Sequence, residues 1–114
     1  MHHQRMTVAN AETLLSKEPV NKFTTLFEHG SLEVEYYRPE KVDPQTPHTR
    51  DEIYVVASGK GEFFCGGETN PFEVGEVLFA PAGVEHRFVN FTDDFATWVF
   101  FYGPEGGEAA KSDS

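Results

Sequence analysis

Several kinds of residue are scarce in this 114-residue chain, and each shortage excludes a class of protein. The single cysteine, Cys65, cannot form an internal disulfide, which excludes a disulfide-stapled scaffold and favours a reducing cytoplasm. Nine basic residues stand against 19 acidic ones, and the formal net charge of −10 argues against nucleic-acid binding. There is no apolar run long enough to cross a bilayer, and residues 1–5 lack the apolar stretch of a signal peptide. We therefore expect a cytoplasmic protein with no nucleic-acid partner and no membrane partner.

The length and the placement of turn residues predict one domain with two short flanking segments. Residues 1–22 are predicted to form an N-terminal segment with a short helix near residues 7–16, which Asn10 would cap and Pro19 would end. Residues 23–103 are predicted to form a β-domain, and residues 104–114, rich in glycine, serine and charge, a flexible tail. His2 and His3 stand near the terminus and are interpreted as incidental, not as metal ligands.

The stretch from Phe23 to Tyr102 is typical of many short strands separated by turns, with almost no helix. Between residues 31 and 37, apolar and polar side chains alternate, which indicates a half-buried strand (Leu32, Val34 and Tyr36 against Ser31, Glu33 and Glu35). This organisation predicts an all-β sandwich or barrel.

One pattern with fixed spacing covers Gly75 to Asn90 and reads G-x5-P-x-G-x2-H-x3-N. Pro81 fixes its own φ and Gly83 permits positive φ, so the two residues predict a tight reversal between two strands. His86 would then stand at the beginning of the second strand, where a ring nitrogen can point into the space that the sheet encloses.

A second pattern lies upstream, where His48 and Glu52 are four residues apart and Gly59 completes E-x6-G. In an extended strand, side chains four apart fall on the same face. An imidazole and a carboxylate are therefore predicted to face the same space as His86.

Together the two patterns resemble the two conserved motifs of the cupin superfamily, over roughly residues 23 to 102. The resemblance implies a single-domain jelly roll (a double-stranded β-helix barrel) preceded by the short N-terminal helical segment. It also implies a metal site of three histidines and one glutamate. One element departs from the motif, because Thr46 stands where a further histidine is expected.

The resemblance thus implies His48, Glu52 and His86 as ligands of a divalent transition metal: iron, manganese, nickel or zinc. Gln45 or Thr46 could supply a fourth ligand, and water is the alternative. A metal-free pocket is also open, in which Glu52 pairs with Arg50 or Arg87, because a buried carboxylate needs a partner.

Aromatic residues near these ligands are candidate walls of a small-molecule pocket, namely Tyr54, Phe88 and Trp98. The same aromatic residues could instead fill the core of a small barrel. Strand alternation places Asn90 on the same face as His86, where a ligand contact and a structural hydrogen bond are both open. The last predicted strand carries apolar residues on both faces, so either a helix or loop of this chain or a second subunit covers its outer face. We favour the second subunit and expect a homodimer.

The leading hypothesis for function is a metal-dependent enzyme that acts on a small organic molecule, by dioxygenase, isomerase or lyase chemistry. The alternative is a non-catalytic module that binds a small ligand or a metal without turnover. The fold alone does not separate the two.

Overall fold

Eight strands and one short helix make up the part of the chain that the computed structural model describes, residues 5–20 and 22–109. In chain order they are α1 (Val8–Leu15), β1 (Phe23–His29), β2 (Leu32–Tyr37), β3 (Asp51–Ser58), β4 (Gly61–Cys65), β5 (Glu68–Phe72), β6 (Val77–Ala80), β7 (His86–Val89) and β8 (Ala96–Tyr102). No helix in these ranges is long and apolar enough to cross a bilayer.

The strands form two antiparallel sheets. The larger has the order β1-β2-β8-β3-β6, and the smaller has the order β5-β4-β7. The last strand, β8, therefore lies between β2 and β3 and pairs with both. This arrangement confirms the all-β prediction with a short N-terminal helix.

The main core lies between the two sheets and is built mostly from aromatic side chains. Phe88 of β7 is its centre, with ring centroids 4.8 Å from Tyr54 and 4.7 Å from Phe95. Such ring pairs stabilise a fold by about 0.5–1.5 kcal/mol each beyond their burial. The packed rings fix the distance between the sheets, and that distance sets the space available for a site.

Strand β2 is covered on both faces, which the alternating pattern did not predict. Val34 and Tyr36 face outward and are buried, Tyr36 in a second core with Ala11 of α1. Glu35 and Tyr37 face the other way, into a cavity beside the sheet. The polar face of this strand therefore lines an internal space.

Helix α1 packs on the outer face of the large sheet through Ala11 and a polar contact. Glu12 accepts a hydrogen bond from the Tyr36 hydroxyl at 2.5 Å and pairs with Arg38 at 3.0 Å. The helix cap is Thr7, whose side-chain oxygen accepts from the Asn10 backbone N–H at 3.1 Å. The prediction that Asn10 caps the helix is therefore wrong, because Asn10 already lies inside the first turn.

Residues 104–109 are hydrogen bonded to the beginning of β3, although this stretch was predicted to belong to a flexible tail. The Gly106 N–H donates to the Thr49 carbonyl at 2.6 Å, and the Glu108 N–H donates to the Asp51 carboxylate at 2.7 Å. The rest of the predicted tail, residues 110–114, lies outside the described residues, as do His2 and His3.

The capping assignment can be tested by two alanine substitutions. We expect Thr7→Ala to lower the free energy of unfolding by about 0.5–2 kcal/mol, because a backbone N–H of the first turn loses its acceptor. Asn10→Ala is the matched control and should have a smaller effect. Urea unfolding followed by the fluorescence of Trp98, which packs beside this helix, measures both. A larger loss for Asn10→Ala would restore the original assignment.

Candidate metal centre

Three separate elements bring His48, Glu52 and His86 together. Glu52 lies in β3 and His86 is the first residue of β7, whereas His48 lies in the loop between β2 and β3. One carboxylate oxygen, Glu52 Oε1, is 3.0 Å from His48 Nδ1 and 3.0 Å from His86 Nε2. The ligand atoms of the three residues all lie within 4.8 Å of one another. His48 precedes the strand in which it was expected, yet its ring reaches the same point.

The predicted turn connects the backbones of the two histidines. Gly83 has a φ of 78°, and the Val84 N–H donates to the Pro81 carbonyl at 3.2 Å, which closes the reversal before β7. The Gly83 N–H donates to the His48 carbonyl at 2.7 Å. The turn that orients His86 therefore also fixes the backbone of His48.

The buried ring of His86 presents a nitrogen without a hydrogen bond toward this centre. Its Nδ1 is 2.9 Å from the Val84 carbonyl oxygen, which can only accept, so Nδ1 carries a proton. Nε2 is buried, and in the described part of the chain it has no hydrogen-bond partner of acceptable geometry. A cation between Nε2 and the Glu52 oxygen would satisfy both atoms. This donor set fits a divalent transition metal.

Electrostatics keep the site charged in spite of its burial. Burial acts to raise the pKa of Glu52, but the interactions of its carboxylate with His48, His86 and Tyr54 outweigh it, so the pKa is lowered. Burial acts to lower the pKa of His86, but Glu52 and the Val84 carbonyl outweigh it, so that pKa is raised. Burial and the Glu52 carboxylate raise the pKa of Tyr54 well above its usual value, so its hydroxyl stays protonated.

The arginines do not pair with Glu52, so the salt-bridged alternative is wrong. Arg50 donates to the Ser31 carbonyl at 2.6 Å and pairs with Glu33 at 2.8 Å. Arg87 pairs with Glu85 at 2.7 Å, and its guanidinium lies 4.7 Å from the centre of the Phe64 ring.

A cavity of about 540 Å³ lies beside the centre, and His48, Glu52 and Tyr54 line it. Apolar side chains form much of its remaining wall (Val20, Phe23, Pro39, Val42, Pro44, Val99 and Phe101). This volume is typical of small-molecule sites.

The two candidate fourth ligands are placed differently. Gln45 lines the cavity, and both ends of its amide have partners: Oε1 accepts from the Tyr54 hydroxyl at 3.0 Å, and Nε2 donates to Asp43 at 2.6 Å. Thr46 is exposed.

The predicted pocket residues divide into two groups. Tyr54 lines the cavity, and Phe88 lies behind it in the core. Asn90 is exposed and donates to Glu62 at 2.7 Å, so its prediction is wrong. Trp98 is also wrongly predicted, because it lies opposite Tyr36 across β2 and β8 and shares that residue's outer face. Val99 and Phe101 of β8 face the cavity instead.

Glu35 is a candidate functional residue that sequence reasoning missed. It lines the same cavity, from β2, and its pKa is raised to about 7 by burial first and by the charges of Glu33 and Glu52. The alternating pattern assigned it to the outside of a half-buried strand. One signal in the sequence could have identified Glu35. Glu33 and Glu35 lie on one face of a strand, and a metal-ligand motif follows that strand.

Comparisons with known proteins agree with this geometry. Residues 33–102 match the family model described as the cupin domain. An uncharacterized protein of Streptomyces coelicolor is 41% identical over 63 residues, which are 55% of this chain and 60% of that protein. The chain therefore spans less than two thirds of the length of this relative.

Solved structures share the fold. A cupin-2 domain protein from Shewanella frigidimarina has a TM-score of 0.67 at 15% identity, covering 86% of this chain and 94% of that one. A "putative mannose-6-phosphate isomerase" from Ralstonia eutropha has a TM-score of 0.62 at 22% identity, covering 77% of this chain and 89% of that one. The family match shows that the chain belongs to the cupin family, and the shared architectures show that it has the jelly-roll fold.

Proposed function

We propose that this protein is a metal-dependent enzyme that acts on a small organic molecule in the cavity beside Glu52. The observation that carries the proposal is the buried His86 Nε2, which has no hydrogen-bond partner of acceptable geometry among the described residues and lies 3.0 Å from a Glu52 carboxylate oxygen. His48, Glu52 and His86 would hold iron, manganese, nickel or zinc. Such an ion, when bound, polarises a substrate oxygen as a Lewis acid or, if it is iron, supports chemistry with dioxygen.

The residues around the centre divide the remaining tasks. The apolar wall, with Val99 and Phe101, would bind the body of the substrate and exclude water. The Tyr54 hydroxyl stays protonated and holds Gln45 at the edge of the site. Glu35 would move a proton to or from the substrate, because a carboxyl group with a pKa near 7 can both donate and accept at neutral pH.

Glu35 is the feature that favours an enzyme over a non-catalytic binding module. A module needs walls and a metal or ligand, but it has no need of a carboxyl group held at the edge of ionisation. Dioxygenase, isomerase and lyase chemistry all include proton transfers that such a group could make. The binding module remains the second candidate, since the same cavity and donor set would also hold a ligand without turnover.

The charges around the cavity favour an uncharged substrate. Glu35, Glu40 and Glu52 line it, and the one basic residue among its described lining, Lys22, pairs with Glu40 at 3.1 Å. Without a metal ion a phosphate group would meet net negative charge there, and with a divalent ion bound and Glu35 ionised the lining would have no net positive charge to attract it. The isomerase activity in the name of the Ralstonia protein therefore supports the reaction class for this chain better than it supports a phosphorylated substrate.

We also propose a homodimer formed through the outer apolar patch, which comprises Ile53, Val55, Val77, Phe79 and Phe100. The partner positions across β3, β6 and β8 place these residues on one face of the sheet. Val77 is 65% exposed and Phe79 50% exposed, and their strand, β6, is at the edge of its sheet. Covering such side chains is favourable. Helix α1 already covers Trp98, at the other end of this face.

The metal proposal is tested by metal analysis of untagged protein purified without chelator. Wild-type protein should contain one transition-metal ion per chain, and His86→Ala should lose most of it while the circular dichroism of the β-fold persists. His29→Ala, which removes an exposed histidine from β1, is the matched control and should keep the metal. Equal metal content in His86→Ala and wild type would show that the site is misplaced. Metal-loaded protein without turnover on a broad panel of uncharged substrates would favour the binding module.

The Glu35 assignment predicts a pH-dependent effect on the stability of the metal-free protein. Its folded pKa of about 7 exceeds the ordinary 4.5, so the folded state binds more protons and loses stability as pH rises between these values. The free energy of unfolding of Glu35→Gln should therefore exceed that of wild type by more at about pH 8 than at about pH 5. Urea unfolding at both pH values measures this. An equal difference between Glu35→Gln and wild type at the two pH values would contradict the raised pKa of Glu35.

The dimer is tested by sedimentation velocity at micromolar concentration. Wild-type protein should sediment as a dimer, and Phe79→Asp should shift it to monomer, because a carboxylate would be buried without a partner. Val42→Asp, at an exposed valine of the β2–β3 loop, is the control and should leave the dimer intact. A monomeric wild type would refute the proposal.

A further inference from the structure

We propose that Asp43 is a positioning residue that fixes the loop between β2 and β3, residues 38–50, so that His48 is held at the metal centre. The inference rests on the metal site proposed above. It concerns a carboxylate that binds no metal itself and that neither sequence motif contains.

Asp43 joins the loop to both sheets. It is only 6% exposed and accepts hydrogen bonds from the Tyr37 hydroxyl of β2 and, at 2.8 Å, from the Phe88 backbone N–H of β7. Strand β7 is the edge of the smaller sheet, so this N–H has no neighbouring strand to bond. An unpaired buried N–H is costly. The Asp43 carboxylate therefore accepts the hydrogen bond that a neighbouring strand would otherwise accept from β7, the strand that begins with His86.

Asp43 is also connected to the metal centre through Gln45. Gln45 Nε2 donates to Asp43 at 2.6 Å, and Gln45 Oε1 accepts from the Tyr54 hydroxyl at 3.0 Å. Tyr54 lies in β3, on the same face as Glu52 and two residues after it. A continuous set of hydrogen bonds thus runs from the middle of the loop to the ligand-bearing strand β3.

His48 is the ligand whose position depends most on the loop. Its side chain is 35% exposed, against 2% for Glu52 and 1% for His86. The latter two lie in strands, whereas His48 is held on its C-terminal side by the Gly83 bond and on its N-terminal side by Asp43 and Gln45. Ligands on loops are placed less precisely than ligands on strands, unless neighbouring residues fix them.

Loss of the Asp43 hydrogen bonds should therefore weaken metal binding, although all three ligand residues are still present in the protein. Substitution of residues that orient metal ligands typically costs about 10–100-fold in affinity. We expect an effect of this size for Asp43→Ala. Asp43→Asn should retain most of the affinity, because its amide oxygen can accept from Phe88 and Gln45 while its NH₂ donates to the Tyr37 hydroxyl oxygen.

The experiment is a calorimetric titration of metal-free protein with Mn²⁺, together with the visible spectrum of the Co²⁺ form. Glu12→Ala is the matched control, since it removes a carboxylate that accepts a tyrosine hydroxyl on the outer face of the same sheet. The proposal is supported if Asp43→Ala binds at least about tenfold more weakly, shows an altered Co²⁺ spectrum and exchanges the Phe88 amide faster, while Glu12→Ala matches wild type.

Three results would overturn it. Wild-type affinity in Asp43→Ala would show that the loop needs no such tether. Equal losses in Asp43→Asn and Asp43→Ala would show an effect of charge, and an equal loss in Glu12→Ala would show a general loss of stability. If Asp43→Ala does not fold, Tyr37→Phe and Tyr36→Phe replace the pair, and equal Mn²⁺ affinities in those two would also overturn it. Unchanged affinity in His48→Ala would instead refute the metal site itself.

Discussion

The burial of the Glu52 carboxylate is the constraint on which the rest of this structure depends. A carboxylate in the interior is costly unless charge and hydrogen bonds compensate it. Arg50 and Arg87 are bound to other groups, so the compensation comes from His48, His86 and the Tyr54 hydroxyl. The turn before β7, the loop before β3 and the aromatic core each place one of these partners. A divalent cation would complete the same compensation.

Covering β2 on both faces explains how a polar cavity can exist in so small a domain. Helix α1 buries the outer face at Tyr36, so the core does not need the inner face of β2 to be apolar. Glu35 can then line the cavity from β2, which is separated from β3, the strand that carries Glu52, by β8 alone. The raised pKa of Glu35 follows from this arrangement, since burial and the nearby carboxylates both disfavour its charge.

Sequence patterns predicted the residues that depend on local chemistry and missed those that depend on register. The turn of Pro81 and Gly83 identifies His86, because these two residues determine the backbone before the next strand. The spacing from His48 to Gly59 identifies Glu52. The faces of Trp98 and Glu35 follow instead from which strand lies beside which, and alternation alone does not show which face is outside. Asp43 is invisible for a similar reason, since its partner Phe88 is 45 residues away.

Charge balance connects the metal centre with the substrate that the cavity would accept. A divalent ion beside Glu52 leaves one net positive charge, and an ionised Glu35 would cancel it. The ion would also offset the Glu52 charge that helps to raise the pKa of Glu35, so metal binding and ionisation of Glu35 favour each other. A neutral substrate leaves this balance intact, whereas an anion would have to displace or protonate Glu35. Under the proposed function, the cavity would therefore suit a proton transfer on an uncharged molecule better than the binding of a charged one.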